Sequence, residues 1–90
     1  MGSFKSVRKE KNVGLASEEI AAANRGEGPL GKAAPDEPVF ILRAQDMFSC
    51  GLVEAWACAA EQRGVDAVKV KEARQLAVKM RAWPKRRIPD

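Results

Sequence analysis

The sequence predicts a small, mainly α-helical protein that ends in an antiparallel helical hairpin, with one short extended or β segment and a flexible N-terminal arm. Three observations carry this prediction. Apolar residues recur at spacings of three and four in the second half, glycines and prolines concentrate in one stretch of the first half, and only one short run is rich in β-branched and aromatic residues. A chain of 90 residues has room for one small core.

The first segment is basic and irregular. Residues 1–13 show no hydrophobic period and hold four basic residues against one acid, so we expect a mobile arm. Ser17 precedes the run EEIAAAN, and Gly26 follows it, a pattern that predicts a short helix. Residues 1–35 are therefore predicted to hold a flexible basic arm, a short helix and a Gly/Pro linker, and residues 36–90 a small α-rich domain.

The stretch RGEGPLGKAA, residues 25–34, fits the dinucleotide-binding pattern G-x-G-x-x-G and nearly fits the phosphate-loop pattern G-x-x-x-x-G-K-[ST]. A phosphate loop needs a strand before it, a helix after it and a hydroxyl for magnesium, and here Ala33 replaces the hydroxyl. We interpret residues 26–38, with three glycines and three prolines, as a flexible linker. The alternative is an anion-binding nest formed by Gly28, Gly31 and Lys32.

The run VFIL, residues 39–42, favours a short strand that would pair with another copy or a partner, because no second strand of equal quality exists in the chain. The alternative is an extended segment pressed on the helices. In such a strand Arg43 emerges beside the core, where a guanidinium needs a carboxylate. Asp46, Glu37 or a helix carboxylate would supply it. The alternative is that Arg43 binds an anionic ligand.

The second half predicts two helices that form the hairpin. Asp46 or Ser49 can cap the first helix and Gly64 ends it, while Asp66 caps the second and Pro84 ends it. The expected apolar stripes are Leu52, Val53, Trp56, Ala57 and Ala60 on the first helix and Val70, Ala73, Leu76, Ala77, Met80 and Trp83 on the second.

Cys50 and Cys58 are the only cysteines, and the chain has no histidine. Eight residues along one helix separate the two thiols by about 12 Å, too far for a disulfide, which predicts a reduced, cytoplasmic protein. We expect Cys58 to be a small buried hydrophobe and Cys50 to be the more exposed. Without histidine the usual general base and metal ligand are missing, so we predict no enzyme activity, no catalytic residue, no cofactor and no metal site. No apolar run suggests a membrane partner.

Charge is segregated along the chain. Residues 14–68 hold four bases against nine acids, and residues 69–89 hold eight bases against one acid. A solvated basic face is the favoured interpretation, because no helix-turn-helix or zinc pattern offers sequence-specific readout. The candidates for binding a partner or a nucleic acid are Lys79, Arg81, Lys85, Arg86 and Arg87.

The runs LGKAAPDEPVFILRAQD, VEAWACAAEQRGV and KVKEARQLAVKMRAWP, with the final PD, resemble small uncharacterised proteins encoded by bacteriophages and prophages of GC-rich bacteria. The resemblance covers residues 30–90. It implies a context, the host cytoplasm, in which short non-enzymatic phage proteins commonly act by binding, either by blocking a host defence or regulatory protein or by sequestering a signalling nucleotide. It implies no ligand residue.

We therefore expect a non-catalytic protein that binds a host protein stoichiometrically. Two alternatives stay open. One is a sponge for a small anionic or cyclic nucleotide, with Gly28, Gly31, Lys32 and Arg43 as ligand candidates, and the other is a nucleic-acid-binding protein that uses its basic ends. A homodimer or higher oligomer is expected, because the apolar run and the outer faces of the hairpin lack partners within one chain.

Overall fold

The computed structural model describes residues 14–89, and the predicted N-terminal arm over residues 1–13 lies outside them. The protein is mainly helical, as predicted. Its helices are α1 (Ala16–Asn24), α2 (Gly28–Lys32), α3 (Ser49–Gln62) and α4 (Ala67–Arg81). The chain divides into two compact units between Phe40 and Ile41. No helix within residues 14–89 is long and apolar enough to span a membrane.

In the first unit, α1 and α2 pack against each other. α1 begins before the predicted cap, because Leu15 occupies the N-cap position without a side-chain hydrogen bond and Ser17 lies inside the helix. The predicted end is confirmed. Gly26 has a φ of 75°, and its N–H donates to the carbonyl of Ala23 at 3.0 Å, as is typical of a glycine just beyond a helix.

The second helix differs from the predicted flexible linker, because it forms inside residues 26–38. Pro29 lies near its start, where a missing N–H leaves no helical hydrogen bond unmade and the ring already holds a helical φ. The N–H of Ala33 donates to the carbonyl of Pro29 at 3.1 Å and closes the last turn. A proline at the start and a neighbouring helix thus outweigh the low helix propensity of the glycines.

The predicted strand over residues 39–43 is not formed, since these residues have no regular secondary structure. Phe40 is 83% exposed. A strand needs a neighbouring strand to pair its backbone groups, and the part of the chain that the structure describes offers none. The apolar run therefore stays outside any sheet there.

In the second unit, the segment after α4 is tied to the loop before α3. An isolated parallel bridge joins Asp46 to Arg87. The N–H of Met47 donates to the carbonyl of Arg87 at 3.0 Å, and the N–H of Arg87 donates to the carbonyl of Gln45 at 2.8 Å. Backbone pairing thus ties the basic, proline-containing segment after α4 to the loop before α3.

The two long helices pack against each other in this unit. Gly64 has a φ of 81° just beyond α3, and Asp66 caps α4 by accepting the N–H of Val68 at 3.1 Å, both as the sequence predicts. The core cluster comprises Ala57, Ala60 and Val70, with Ala73 packed against it. Because most of these side chains are small, each contributes little buried apolar area.

The predicted buried face of α3 is wrong for its two largest residues. Ala57 and Ala60 are buried, but Leu52 and Trp56 are 51% and 49% exposed. Successive helical residues are rotated by about 100°, which places positions 50, 53, 57 and 60 on one side and positions 52 and 56 on another. Apolar residues surround most of this helix, so periodicity alone does not select the buried side.

The phase of α3 also reverses the expectation for the thiols, since Cys50 is buried and Cys58 is exposed. On α4 the predicted stripe is largely correct. Val70, Ala77 and Met80 are buried, whereas Trp83, two residues beyond the end of the helix, is 50% exposed.

Candidate functional site

An open groove of about 600 Å³ follows one side of α4. Its apolar lining consists of Val65, from the turn between α3 and α4, and of Ala67, Val70 and Val78 from α4. Val70 is buried, but Val65 and Val78 are 36% and 65% exposed. The groove therefore presents apolar surface to solvent beside the helix core.

Charged side chains border this groove. The Nη2 of Arg74 donates to Oε1 of Glu61 at 2.8 Å and approaches the Sγ of Cys58 at 3.8 Å. The hydrogen bond between Arg74 and Glu61 lowers the pKa of the carboxyl and raises the pKa of the guanidinium. Lys71 also borders the groove and forms no ion pair within residues 14–89. The groove thus carries one uncompensated positive charge.

These groove residues are not among the candidates that the sequence predicts. The sequence does contain a sign of this groove, because Val65 and Val78 are apolar residues that lie outside the predicted apolar stripe of α4. Such residues are common singly on protein surfaces, so only their meeting in one groove makes them informative.

The basic residues near the C-terminus are partly engaged within the chain. The Nη2 of Arg81 donates to Oε2 of Glu54 at 2.6 Å, and this hydrogen bond raises the pKa of Arg81. Arg86 donates from Nη1 to the carbonyl of Arg81 at 2.8 Å and from Nη2 to the Sγ of Cys50 at 3.9 Å, while its Nε is buried without a hydrogen-bond partner. Lys79 and Lys85 are exposed. A nucleic acid would thus have to compete with these contacts for Arg81 and Arg86.

A second open pocket, of about 210 Å³, contains Arg43 and Arg87. The N–H of Asp46 donates to the carbonyl of Arg43 at 3.0 Å, and the bridge between Asp46 and Arg87 brings the two segments that line the pocket together. The pocket is also lined by the acidic residue Asp46, by Gln45 and by the apolar residues Ile41 and Pro89. Arg43 forms no ion pair with any described residue, so its guanidinium is suited to a carboxylate or phosphate group in this pocket.

The predicted ion pair between Arg43 and a carboxylate is wrong, because Arg43 forms no ion pair with any described residue. Asp46 is occupied elsewhere, since its Oδ1 accepts the N–H of Phe48 at 2.8 Å. Glu37 is occupied as well, because its Oε1 accepts the N–H of Ala34 at 3.1 Å. Both carboxylates stabilise turns, and Arg43 is exposed.

The other anion candidates, Gly28, Gly31 and Lys32, lie on α2 in the first unit. The structure explains why glycine occupies each glycine position of the G-x-G-x-x-G pattern. Gly26 and Gly28 have φ values of 75° and 73°, and a Cβ added at Gly31 would lie 2.7 Å from the carbonyl carbon of Gly26. Lys32 lies in the last turn of α2, where a positive charge suits the helix dipole. The pattern is accounted for by the close approach of α1 and α2.

No group of three or more histidine, cysteine, aspartate or glutamate side chains within residues 14–89 is arranged to hold a metal ion. No family model matches the chain, and no curated protein or solved structure matches it.

Proposed function

We propose that this protein is non-catalytic and acts by stoichiometric binding of another protein, with an antiparallel helical hairpin of α3 and α4 as its binding part. The groove of about 600 Å³ carries this proposal. Its exposed valines would gain free energy on burial by a partner. The resemblance to phage proteins favours a host defence or regulatory protein as that partner.

The groove suits an amphipathic helix of the partner. Its lining on α4 extends from Ala67 to Val78, a length of about 16 Å or three helical turns. Apolar partner residues at spacings of three and four would contact the valines, as in other helix-in-groove complexes. An acidic partner residue would pair with Lys71, since Arg74 is already bonded to Glu61.

Site-specific crosslinking tests this proposal. A photo-reactive amino acid in place of Val78, in protein expressed in its native cells, should give one dominant adduct with one partner per chain. Lys71→Glu should reduce the yield at least about tenfold, equivalent to about 1.4 kcal/mol, because the new carboxylate repels the partner's acid.

Lys69→Glu is the matched control, because Lys69 is exposed on the same helix but does not line the groove. It should leave the adduct unchanged, and a photo-reactive residue in place of Val68 should give none. Absence of an adduct at position 78, or an equal loss in both lysine variants, contradicts the proposal.

A small anionic ligand is the second candidate, and the pocket between Arg43 and Arg87 favours it. A nucleotide sponge predicts a rise in the melting temperature with a mononucleotide or cyclic nucleotide at saturation. The shift should disappear in Arg43→Ala and persist in Lys32→Ala, because Lys32 does not line this pocket. A melting temperature that no nucleotide changes excludes this candidate.

A further inference from the structure

We infer that the outer face of α3 is a self-association surface through which two copies of the chain form a two-fold symmetric dimer. This outer face comprises Phe48, Gly51, Leu52, Ala55, Trp56 and Ala59. Its large residues, Phe48, Leu52 and Trp56, follow one another at spacings of four and are 59%, 51% and 49% exposed. They form a ridge that lies away from the buried Ala57, and because the buried Ala60 follows Trp56 at the same spacing, the exposed part of the ridge ends at Trp56.

A row of small residues runs beside this ridge at the same spacing. Gly51, Ala55 and Ala59 are all exposed, and a Cβ added at Gly51 would have no atom within 4 Å. The row is therefore an open furrow. Rows of residues four apart interdigitate when two helices cross at about −50°. In a two-fold arrangement the ridge of each copy enters the furrow of the other, so one face is complementary to itself.

The charges favour a second copy as the occupant. α3 has only two charged residues, and both are bonded to α4: Glu54 to Arg81 at 2.6 Å and Glu61 to Arg74 at 2.8 Å. The outer face therefore carries no charge, although each chain has a formal net charge of +4. Two copies that meet through this face keep their like charges out of the interface.

The expected affinity is modest. α3 has 14 residues and is about 21 Å long, so one helix pair covers less than the roughly 800 Å² per partner of a standard interface. The dissociation constant should accordingly lie in the micromolar range, on the order of 10 µM.

Sedimentation equilibrium of the full chain from about 1 µM to about 200 µM should show conversion of monomer to dimer. Gly51→Leu should abolish the dimer over this range, because leucine fills the furrow that receives the partner's ridge. Leucine is also the better helix former, so circular dichroism should show the helices intact. Trp56→Glu should raise the dissociation constant at least about tenfold by removing the end of the ridge and adding a charge.

Val68→Glu is the matched control, because Val68 is 58% exposed on α4 and lies outside the outer face. This variant should still dimerise. The inference is overturned if the wild-type chain stays monomeric, if it forms a larger species, if the dimer survives both α3 variants, or if Val68→Glu weakens it equally. Variants of Lys71 and Val78 leave the outer face intact, so failure of the proposed function is distinguishable from failure of this inference.

Discussion

Two helical glycines of this protein have opposite surroundings. A Cβ added at Gly31 would lie 2.7 Å from the carbonyl carbon of Gly26, whereas a Cβ added at Gly51 would meet no atom within 4 Å. Contacts as short as the first are essentially absent from folded proteins, so a side chain at Gly31 must displace α2 or the end of α1. A substitution at Gly31 therefore tests the packing role of glycine, and a substitution at Gly51 tests its low helix propensity.

We expect Gly31→Ala to destabilise the packing of α2 by about 1–3 kcal/mol, the usual cost of overpacking. Hydrogen exchange at the N–H of Ala33, which donates to the carbonyl of Pro29 at 3.1 Å, should accelerate accordingly. Gly51→Ala is the control and should be neutral or stabilising by up to about 1 kcal/mol, because its Cβ enters open space. An unchanged exchange rate at Ala33 in Gly31→Ala would show that α2 moves aside at no cost.

At the scale of the elements, two ion pairs complement the alanine-rich contact between α3 and α4. Glu61 and Glu54 are the acids of α3, and Arg74 and Arg81 are their partners on α4. All four side chains are substantially exposed, so each pair contributes modestly to stability. Both pairs join α3 to α4 beside the buried alanines.

The Glu61 pair predicts a pH-dependent contribution. The hydrogen bond from Arg74, followed by its positive charge, lowers the pKa of Glu61 from its ordinary value of 4.5. A carboxyl with a lowered pKa in the folded chain stabilises the fold above its ordinary pKa and loses this contribution as the pH falls through the folded value. Glu61→Gln should therefore lower the urea midpoint at about pH 7 and have no effect at about pH 2.

Glu72→Gln provides the control for this titration, because Glu72 on α4 forms no ion pair with any described residue. Its urea midpoint at about pH 7 should fall less than that of Glu61→Gln, because the substitution at Glu72 removes no ion pair. An effect of Glu61→Gln that is as large in acid as at neutral pH would contradict a contribution from the ionised carboxylate.

At the scale of the whole molecule, the buried hydrophobic residues of the described chain all belong to the second unit. They are Cys50, Ala57, Ala60, Val70, Ala77 and Met80. Three of the six are alanines, so this core stabilises the unit only modestly. The larger apolar side chains are mostly exposed, and binding of a partner or of a second copy would bury part of them.

The fragment 41–90 should fold without the rest of the chain. It contains the contact between α3 and α4, both ion pairs and the bridge between Asp46 and Arg87. We expect a helical circular dichroism spectrum and a single sigmoidal urea transition. A fragment 41–83 should be less stable by about 1–3 kcal/mol, because it loses the backbone hydrogen bonds of Arg87. Non-cooperative melting of fragment 41–90 would contradict the independence of this unit.

The sequence by itself determined the mainly helical character, the ends of the helices at Gly26 and Gly64, the cap at Asp66 and most of the buried stripe of α4. These features depend on interactions within a few residues: a positive φ that glycine tolerates, a carboxylate that accepts a nearby N–H, and an apolar period of three to four. Such interactions have the same geometry in many folds, and therefore the local sequence predicts them.

Only the tertiary structure decided which side of α3 is buried, because apolar residues surround that helix and its contact with α4 buries Ala57 and Ala60 rather than Leu52 and Trp56. The tertiary structure also shows that the glycines of the phosphate-loop pattern allow α2 to pack on α1. The apolar run at residues 39–43 has no strand partner among the described residues, and Arg43 lies in the same pocket as Arg87. Each outcome depends on contacts between segments distant in the chain, which local propensity does not specify.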